Sequence, residues 1–249
     1  MIHIYYRDCQ FNKANNLRPS YFSYEKCFKS LLDTLDDRVS LTIMFDGDPL
    51  DKNHYITKYI NYKNGYNIIP IKAGGDFESN TKTFEYIKQQ NNLKQNELIM
   101  VQENDYLFRN GWVDAIYDVY NRNINYNMDN SYVSLYDHSD KLTRNVPGQE
   151  NNEWGMYANL KSQVYLSKYG YVRETPSTCA SFILKKSLLD KDINVHLSGK
   201  ADNTRFGILT KEPFNRKVLS FMPGYSSHMH SYYLSPFIDW RLLSDSVII

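Results

Sequence analysis

An α/β fold with a mostly parallel central sheet flanked by helices is predicted for this chain by two observations. Runs of β-branched and aromatic residues alternate with stretches of 3.6-residue apolar periodicity through the first half. That order builds a largely parallel sheet covered on both faces. The predicted strands of that half also end in polar segments, Arg7-Asp8, Asp46-Gly47-Asp48, Lys72 to Asp76 and Glu103 to Asp105. Four polar segments therefore share one rim, the carboxyl edge where ligands of such sheets gather. At 249 residues the chain can bury a full core, and nothing in it calls for division into domains.

The elements follow in order. Residues 2–6 (IHIYY) predict the first strand, and Tyr24 to Leu35 a helix with Phe28, Leu31, Leu32 and Leu35 on one face and Ser23 as its N-cap. Residues 40–45 (SLTIMF) predict a second strand; 53–62 is poorly patterned; 67–72 (NIIPIK) predicts a third. Gly74-Gly75 then turns the chain into a helix from about Ser79 to Gln90, and 97–102 (ELIMVQ) forms the fourth strand. Gly111 to Tyr120 reads as helix and 131–136 (SYVSLY) as strand. The rest is a smaller, irregular or antiparallel half. Its parts are a polar stretch at 137–156 with a mobile loop expected near 140–156, a hairpin within 161–173, a strand-like Cys179 to Leu184, and a helical face of Phe206 and Leu209 after Asp202.

Composition narrows the function. Charge is balanced, with 29 basic and 28 acidic residues scattered along the chain, which argues against nucleic acid or a charged membrane surface as partner. The three cysteines, Cys9, Cys27 and Cys179, lie far apart without a CxxC pair, so neither a disulfide framework nor a zinc site is indicated and a reducing compartment fits. The N-terminus reads as a first strand rather than a signal peptide, and no run approaches the ~20 apolar residues of a membrane span. A cytoplasmic protein is expected, with peripheral membrane contact left open. The absence of GxxxxGK[ST] and GxGxxG removes support from P-loop and Rossmann dinucleotide readings.

The chemistry concentrates at Glu103-Asn104-Asp105, where an apolar strand ends in two carboxylates one residue apart. Such oxygens suit a hard ion such as magnesium or manganese, which can also bridge two phosphates; equally, they can cap the following turn. His228 and His230 lie late in the chain between Ser226-Ser227 and Tyr232-Tyr233. A His-x-His pair also suits zinc, but no further ligand has zinc spacing.

Over nearly its whole length the chain resembles the GT-A-fold, family-2-like glycosyltransferases, the small enzymes of bacterial polysaccharide loci and large viruses. The resemblance is carried by Arg18-Pro19-Ser20 with Phe22-Ser23, by QENDY at 102–106, and by PGYSSHMHSYYLSPFIDW at 223–240. It departs from the usual Asp-x-Asp in having Glu103 first, which makes Asp105 the firmer ligand. It implies one Rossmann-like domain over 1–249, a nucleotide-sugar-binding half to about 108 and an acceptor-side half from about 109. It further implies a divalent metal, Mn2+ or Mg2+, held by Asp105, His228 and Glu103.

By the same resemblance a UDP-, dTDP- or GDP-sugar donor lies against Tyr6, Arg7, Asp46, Gly75, Asn80 and Asn104, with Asp46 accepting from a uracil or thymine ring N–H. The partner is a glycan or lipid-linked acceptor in polysaccharide biosynthesis. Transfer with inversion needs a base, which is Asp202, with an ordinary N-cap as its other reading, or Glu174. Two other readings stand beside it. One is a sugar nucleotidyltransferase, against which residues 7–20 lack the glycine-rich basic signature. The other is a non-catalytic carbohydrate-binding protein, for which 22 tyrosines, 12 phenylalanines and 3 tryptophans decide little, since aromatics more often fill a core.

Overall fold

The structure is a computed structural model and describes residues 1–12, 16–62, 65–121, 127–138, 141 and 162–249. Its first half runs β1 (Ile2–Cys9), α1 (Tyr24–Thr34), β2 (Val39–Asp46), α2 (Tyr55–Lys58), β3 (Asn67–Ile71), α3 (Asp76–Gln89) and β4 (Leu98–Glu103). A short β5 (Tyr106–Phe108) and α4 (Trp112–Asn121) follow. The remainder holds β6 (Ser131–Ser134), the hairpin β7 (Val164–Ser167) and β8 (Gly170–Glu174), β9 (Phe182–Lys185), α5 (Lys186–His196) and α6 (Asp202–Leu209). The last elements are β10 (Lys217–Met222), β11 (Ser226–His228) and α7 (Trp240–Ser246).

One nine-stranded sheet, in the order β3-β2-β1-β4-β9-β6-β10-β8-β7, runs through both halves. The first four strands are mutually parallel. β9 enters antiparallel between β4 and β6, while β6 and β10 are parallel to each other and β8 and β7 close the far edge antiparallel. Strand alternation sorts the core onto two faces. Ile2, Ile4 and Tyr6 pack with Phe28, Leu31 and Leu32 of α1 on one face. Tyr5, Met44, Ile99 and Val101 pack with Phe84, Ile87, Leu188 and Leu189 of α3 and α5 on the other. Ser23 caps α1 as expected, accepting from Lys26 N at 3.0 Å.

Three differences bear on function. β1 continues to Cys9, so Arg7 and Asp8 lie inside the sheet rather than past its end, with Arg7 directly opposite Glu103 of β4. α3 starts at Asp76, three residues before its expected start, which brings its N-terminus and Gly75 to the rim. β5 and β11 form a separate antiparallel ribbon in which Tyr106 faces His228. The loop expected near 140–156 lies outside the described residues apart from Lys141. Among the described residues no helix is long and apolar enough to cross a membrane.

Candidate functional site

The four polar segments do meet. They surround a cavity of about 840 Å³ at the carboxyl edge of the parallel strands. Its walls are Arg7 to Asn12 within and after β1, Asp46-Gly47 at the end of β2, Gly74 to Asp76 with Ser79 at the start of α3, and Glu103 to Asp105 at the end of β4. Arg18 and Tyr24, from the approach to α1, close the remaining side. The placement follows from topology, because parallel strands joined through helices end on one edge.

Two arginines govern its charge. Arg7, nearly buried, donates from Nη1 to Asp76 Oδ1 at 2.8 Å and from Nη2 to Glu103 Oε1 at 2.9 Å, tying α3 to β4. Arg18 donates from Nη2 to Asp105 Oδ2 at 2.6 Å and from Nη1 to the Met229 carbonyl at 2.9 Å, while its guanidinium lies over the Phe22 ring at 4.9 Å. His228 Nε2 lies 3.1 Å from the same Asp105 oxygen. Burial works to raise Asp105, but His228 and Arg18 hold its carboxyl well below the usual carboxylate range. For Glu103 burial wins, and its carboxyl is raised in spite of Arg7.

The expected nucleotide residues divide. Arg7, Asp46, Gly75 and Asn104 line the cavity. Asn104 donates to Asp8 Oδ1 at 2.6 Å and to Asn12 Oδ1 at 3.0 Å. Tyr6 is a core residue whose hydroxyl donates to the Asn104 carbonyl at 3.2 Å, so it supports the wall from behind. Asn80 is likewise buried and, with its amide turned to satisfy both ends, accepts from Arg205 Nη2 at 3.1 Å. Asp46 also anchors the loop before α3: its two oxygens accept from Ala73 N at 3.1 Å and Gly74 N at 2.9 Å, each with one acceptor position remaining toward the cavity.

The metal residues divide as well. Asp105 Oδ2 and His228 Nε2, 3.1 Å apart, have the spacing of two neighbouring ligands on one small ion, and Asp105 Oδ1 is buried with no hydrogen-bond partner. Asp105 and His228 thus fit two positions of a metal sphere. Glu103 is engaged elsewhere in this arrangement, with Arg7 holding one oxygen and the other 3.4 Å from the Ser181 hydroxyl, as Asp105 Oδ2 is engaged by Arg18. Among the described residues no group of three His, Cys, Asp or Glu could hold an ion. Two protein ligands suit magnesium or manganese, which commonly complete their spheres with water and substrate phosphate. His230 is turned into its own loop, where Nδ1 accepts from Tyr232 N at 3.3 Å.

Neither candidate base lines the cavity. Asp202 opens α6 and pairs with Arg205 of the same helix, whose guanidinium reaches Asn80 beside the cavity wall. Glu174 lies on β8, paired with Lys217 at 2.9 Å and accepting from the Tyr165 hydroxyl at 3.1 Å. Cys179 lies 3.5 Å from His138, but burial pushes its thiol up to about 12, which leaves it unreactive. Asp8 and Asp76 stood in the rim segments and Arg18 in a quoted motif, but none of them was given a role, and Arg205 was not singled out. Their partners, Asn104 for Asp8, Arg7 for Asp76, Asp105 for Arg18 and Asn80 for Arg205, come from long-range pairing that local sequence does not encode.

No protein-family model matches the chain, and a comparison with curated proteins finds no match. Among solved structures it is similar to the galactosyltransferase LgtC in complex with donor and acceptor sugar analogues. The two are 11% identical with a TM-score of 0.48, over 88% of this chain and 72% of that one. A similarity that loose gives no residue here a role.

Proposed function

We propose that the chain is a glycosyltransferase that moves a sugar from a nucleoside-diphosphate-sugar to a glycan or lipid-linked acceptor, with inversion. The observation that carries this reading is the cavity at the carboxyl rim, lined by Asp105, Arg7 and Arg18, with His228 bonded to Asp105 just outside the lining. A cluster of this kind matches a diphosphate, whose charge needs both cations and a carboxylate-held ion. The reading places the nucleoside against the loop before α3, with the Asp46-anchored Ala73 and Gly74 and the adjoining Gly75 allowing close backbone approach. Tyr6 and Asn80 hold the walls in place from behind, and Asn104 is part of the wall itself.

A Mg2+ or Mn2+ ion held by Asp105 and His228 would supply positive charge to the leaving diphosphate. Arg18 orients that diphosphate with its planar fork of donors, and Arg7 fixes the start of α3 against β4. Asp202 is assigned the proton of the attacking acceptor hydroxyl. Both are paired with a cation, Asp202 with Arg205 and Glu174 with Lys217, but the helix of Asp202 reaches the cavity wall through Arg205, whereas Glu174 lies on β8 among the antiparallel strands. A cytoplasmic location with peripheral membrane contact fits a lipid-linked acceptor.

The test is binding of uridine, thymidine and guanosine diphosphates by calorimetry with and without Mn2+, followed by donor turnover on sugar acceptors. Asp105→Ala is expected to abolish Mn2+-dependent binding, and Asp202→Asn to lower turnover by at least ~100-fold, the range of a lost general base, with binding kept. Wild-type protein that binds no diphosphate, or an Asp105→Ala variant that behaves as wild type, would sink the reading. Consumption of a nucleoside triphosphate and a sugar 1-phosphate with pyrophosphate release would mark a nucleotidyltransferase instead.

A further inference from the structure

The guanidinium of Arg18 lies where an ion shared by Asp105 and His228 would act. Nη2 is 2.6 Å from Asp105 Oδ2, and Nη1 is 3.3 Å from His228 Nε2. These are the two atoms that fit a metal sphere, and two cations cannot use them together without strong repulsion at such short range. The contacts are also mutually frustrated. His228 Nε2 cannot donate to Asp105 and accept from Arg18 in one protonation state. Arg18 Nε and Asp105 Oδ1 are both buried without a hydrogen-bond partner, although buried polar groups are rarely left so.

These observations share one resolution. We propose that Arg18 and a divalent ion compete for the Asp105–His228 pair, and that a diphosphate relieves the competition by drawing the Arg18 guanidinium onto its own oxygens. Arg18 lines the cavity beside the pair, and its fork suits bidentate contact with phosphate. The Phe22 ring lies under the guanidinium, 4.9 Å from Arg18 Cζ, and supports it from one side. An ion with only two protein ligands gains its remaining oxygens from the same diphosphate. Metal and diphosphate therefore bind cooperatively, and by linkage each strengthens the other by the same factor. The inference rests on the proposed diphosphate site but assigns Arg18 a regulatory part in it.

The experiment measures Mn2+ binding by electron paramagnetic resonance, alone and with uridine, thymidine or guanosine diphosphate, together with metal-free diphosphate binding by calorimetry. Wild type is compared with Arg18→Gln, and with Arg18→Lys in case the glutamine variant does not fold; thermal unfolding checks the fold of each. Arg18→Gln is expected to bind Mn2+ alone about tenfold or more tighter than wild type, and metal-free diphosphate about tenfold or more weaker, the scale of one lost charge-assisted bond. Arg18→Lys, which keeps the charge without the fork, is expected to lose diphosphate affinity while Mn2+ alone still binds weakly. Unchanged or weakened binding of Mn2+ alone to Arg18→Gln, or unchanged metal-free diphosphate affinity in either variant, overturns the proposal. A wild type that binds none of the three diphosphates under any condition sinks the transferase reading itself. A wild type that binds them while both variants match it sinks only the part given to Arg18.

Discussion

Removing the guanidinium of Arg173 tests how the second half of the sheet is held. Arg173 of β8 donates through Nε at 3.1 Å and Nη2 at 2.6 Å to Asp137 Oδ1, and Asp137 is wholly buried. Burial holds the Asp137 carboxyl above its usual 3.8, against the pull of Arg173. Arg173→Met leaves that carboxylate without its cation, a change that costs about 3–5 kcal/mol when a buried pair loses one partner. Protonation sets a ceiling, because Asp137 escapes by taking up a proton. At about 1.36 kcal/mol per pH unit, the ceiling at pH 7 is below about 4 kcal/mol, because the wild-type carboxyl is already raised.

The sign follows from where the proton binds. A carboxyl raised on folding holds its proton to higher pH in the native state than in the unfolded chain, so stability falls as pH rises from 3.8 through the folded value. In Arg173→Met that window widens upward. Urea unfolding between pH 4 and 8 is therefore expected to show variant and wild type close together at the acid end and diverging as pH rises. Adding Asp137→Asn, which removes the charge, is expected to recover about half the loss or more. A cost that is equal at pH 4 and pH 7, or a double variant no better than Arg173→Met, would refute the argument.

Three further outcomes follow from the same structure. In Gly224→Ala the new methyl would strike Ser235 Oγ and press on Leu135 O at 3.0 Å and Asp137 N at 3.1 Å. Overpacking of this kind costs about 1–3 kcal/mol, so Tm should fall by several degrees; a Tm within a degree of wild type would contradict it. His196 is stacked on Phe84 at 4.5 Å, and burial, aided by Arg205, pushes its imidazole down to about 3. Its NMR resonances should not titrate between pH 8 and 5, and its contribution to stability should be lost as pH falls from 6.5 toward 3; titration near 6.5 would exclude the buried neutral form. Asp46→Ala strips the acceptors of the Ala73 and Gly74 amides. Hydrogen exchange at both should quicken at least ~10-fold, and unchanged exchange would show the loop is held otherwise.

The first half of the fold was legible because its central strands are buried on both faces and its helices carry clear apolar stripes. α5 was not read, since Asp192 and His196 face inward, where Asp192 binds Arg216 and both reach the Tyr132 hydroxyl. Their polarity breaks the stripe that would announce a helix. β5 and β11, three residues each, are too short for a period to show. The rim was visible in sequence as four strand-end segments, but its internal wiring was not. Arg7 meets Glu103 only because β1 and β4 pair in one register, and no local pattern records that choice.

The same reasoning explains why Asp105 and His228, 123 residues apart in number, form so fixed a pair. Asp105 immediately precedes β5, His228 ends β11, and the ribbon sets Tyr106 opposite His228. Met229 N then donates to the Asp105 carbonyl at 2.9 Å, extending the ladder by one bond. Ser231 N donates to the Leu17 carbonyl at 2.7 Å, which fastens the segment bearing Arg18 to the same stretch of chain. All three side chains are therefore aimed at one another by main-chain hydrogen bonds. That division, a backbone ladder under charged side-chain ends, is what the proposed exchange of Arg18 for an ion requires.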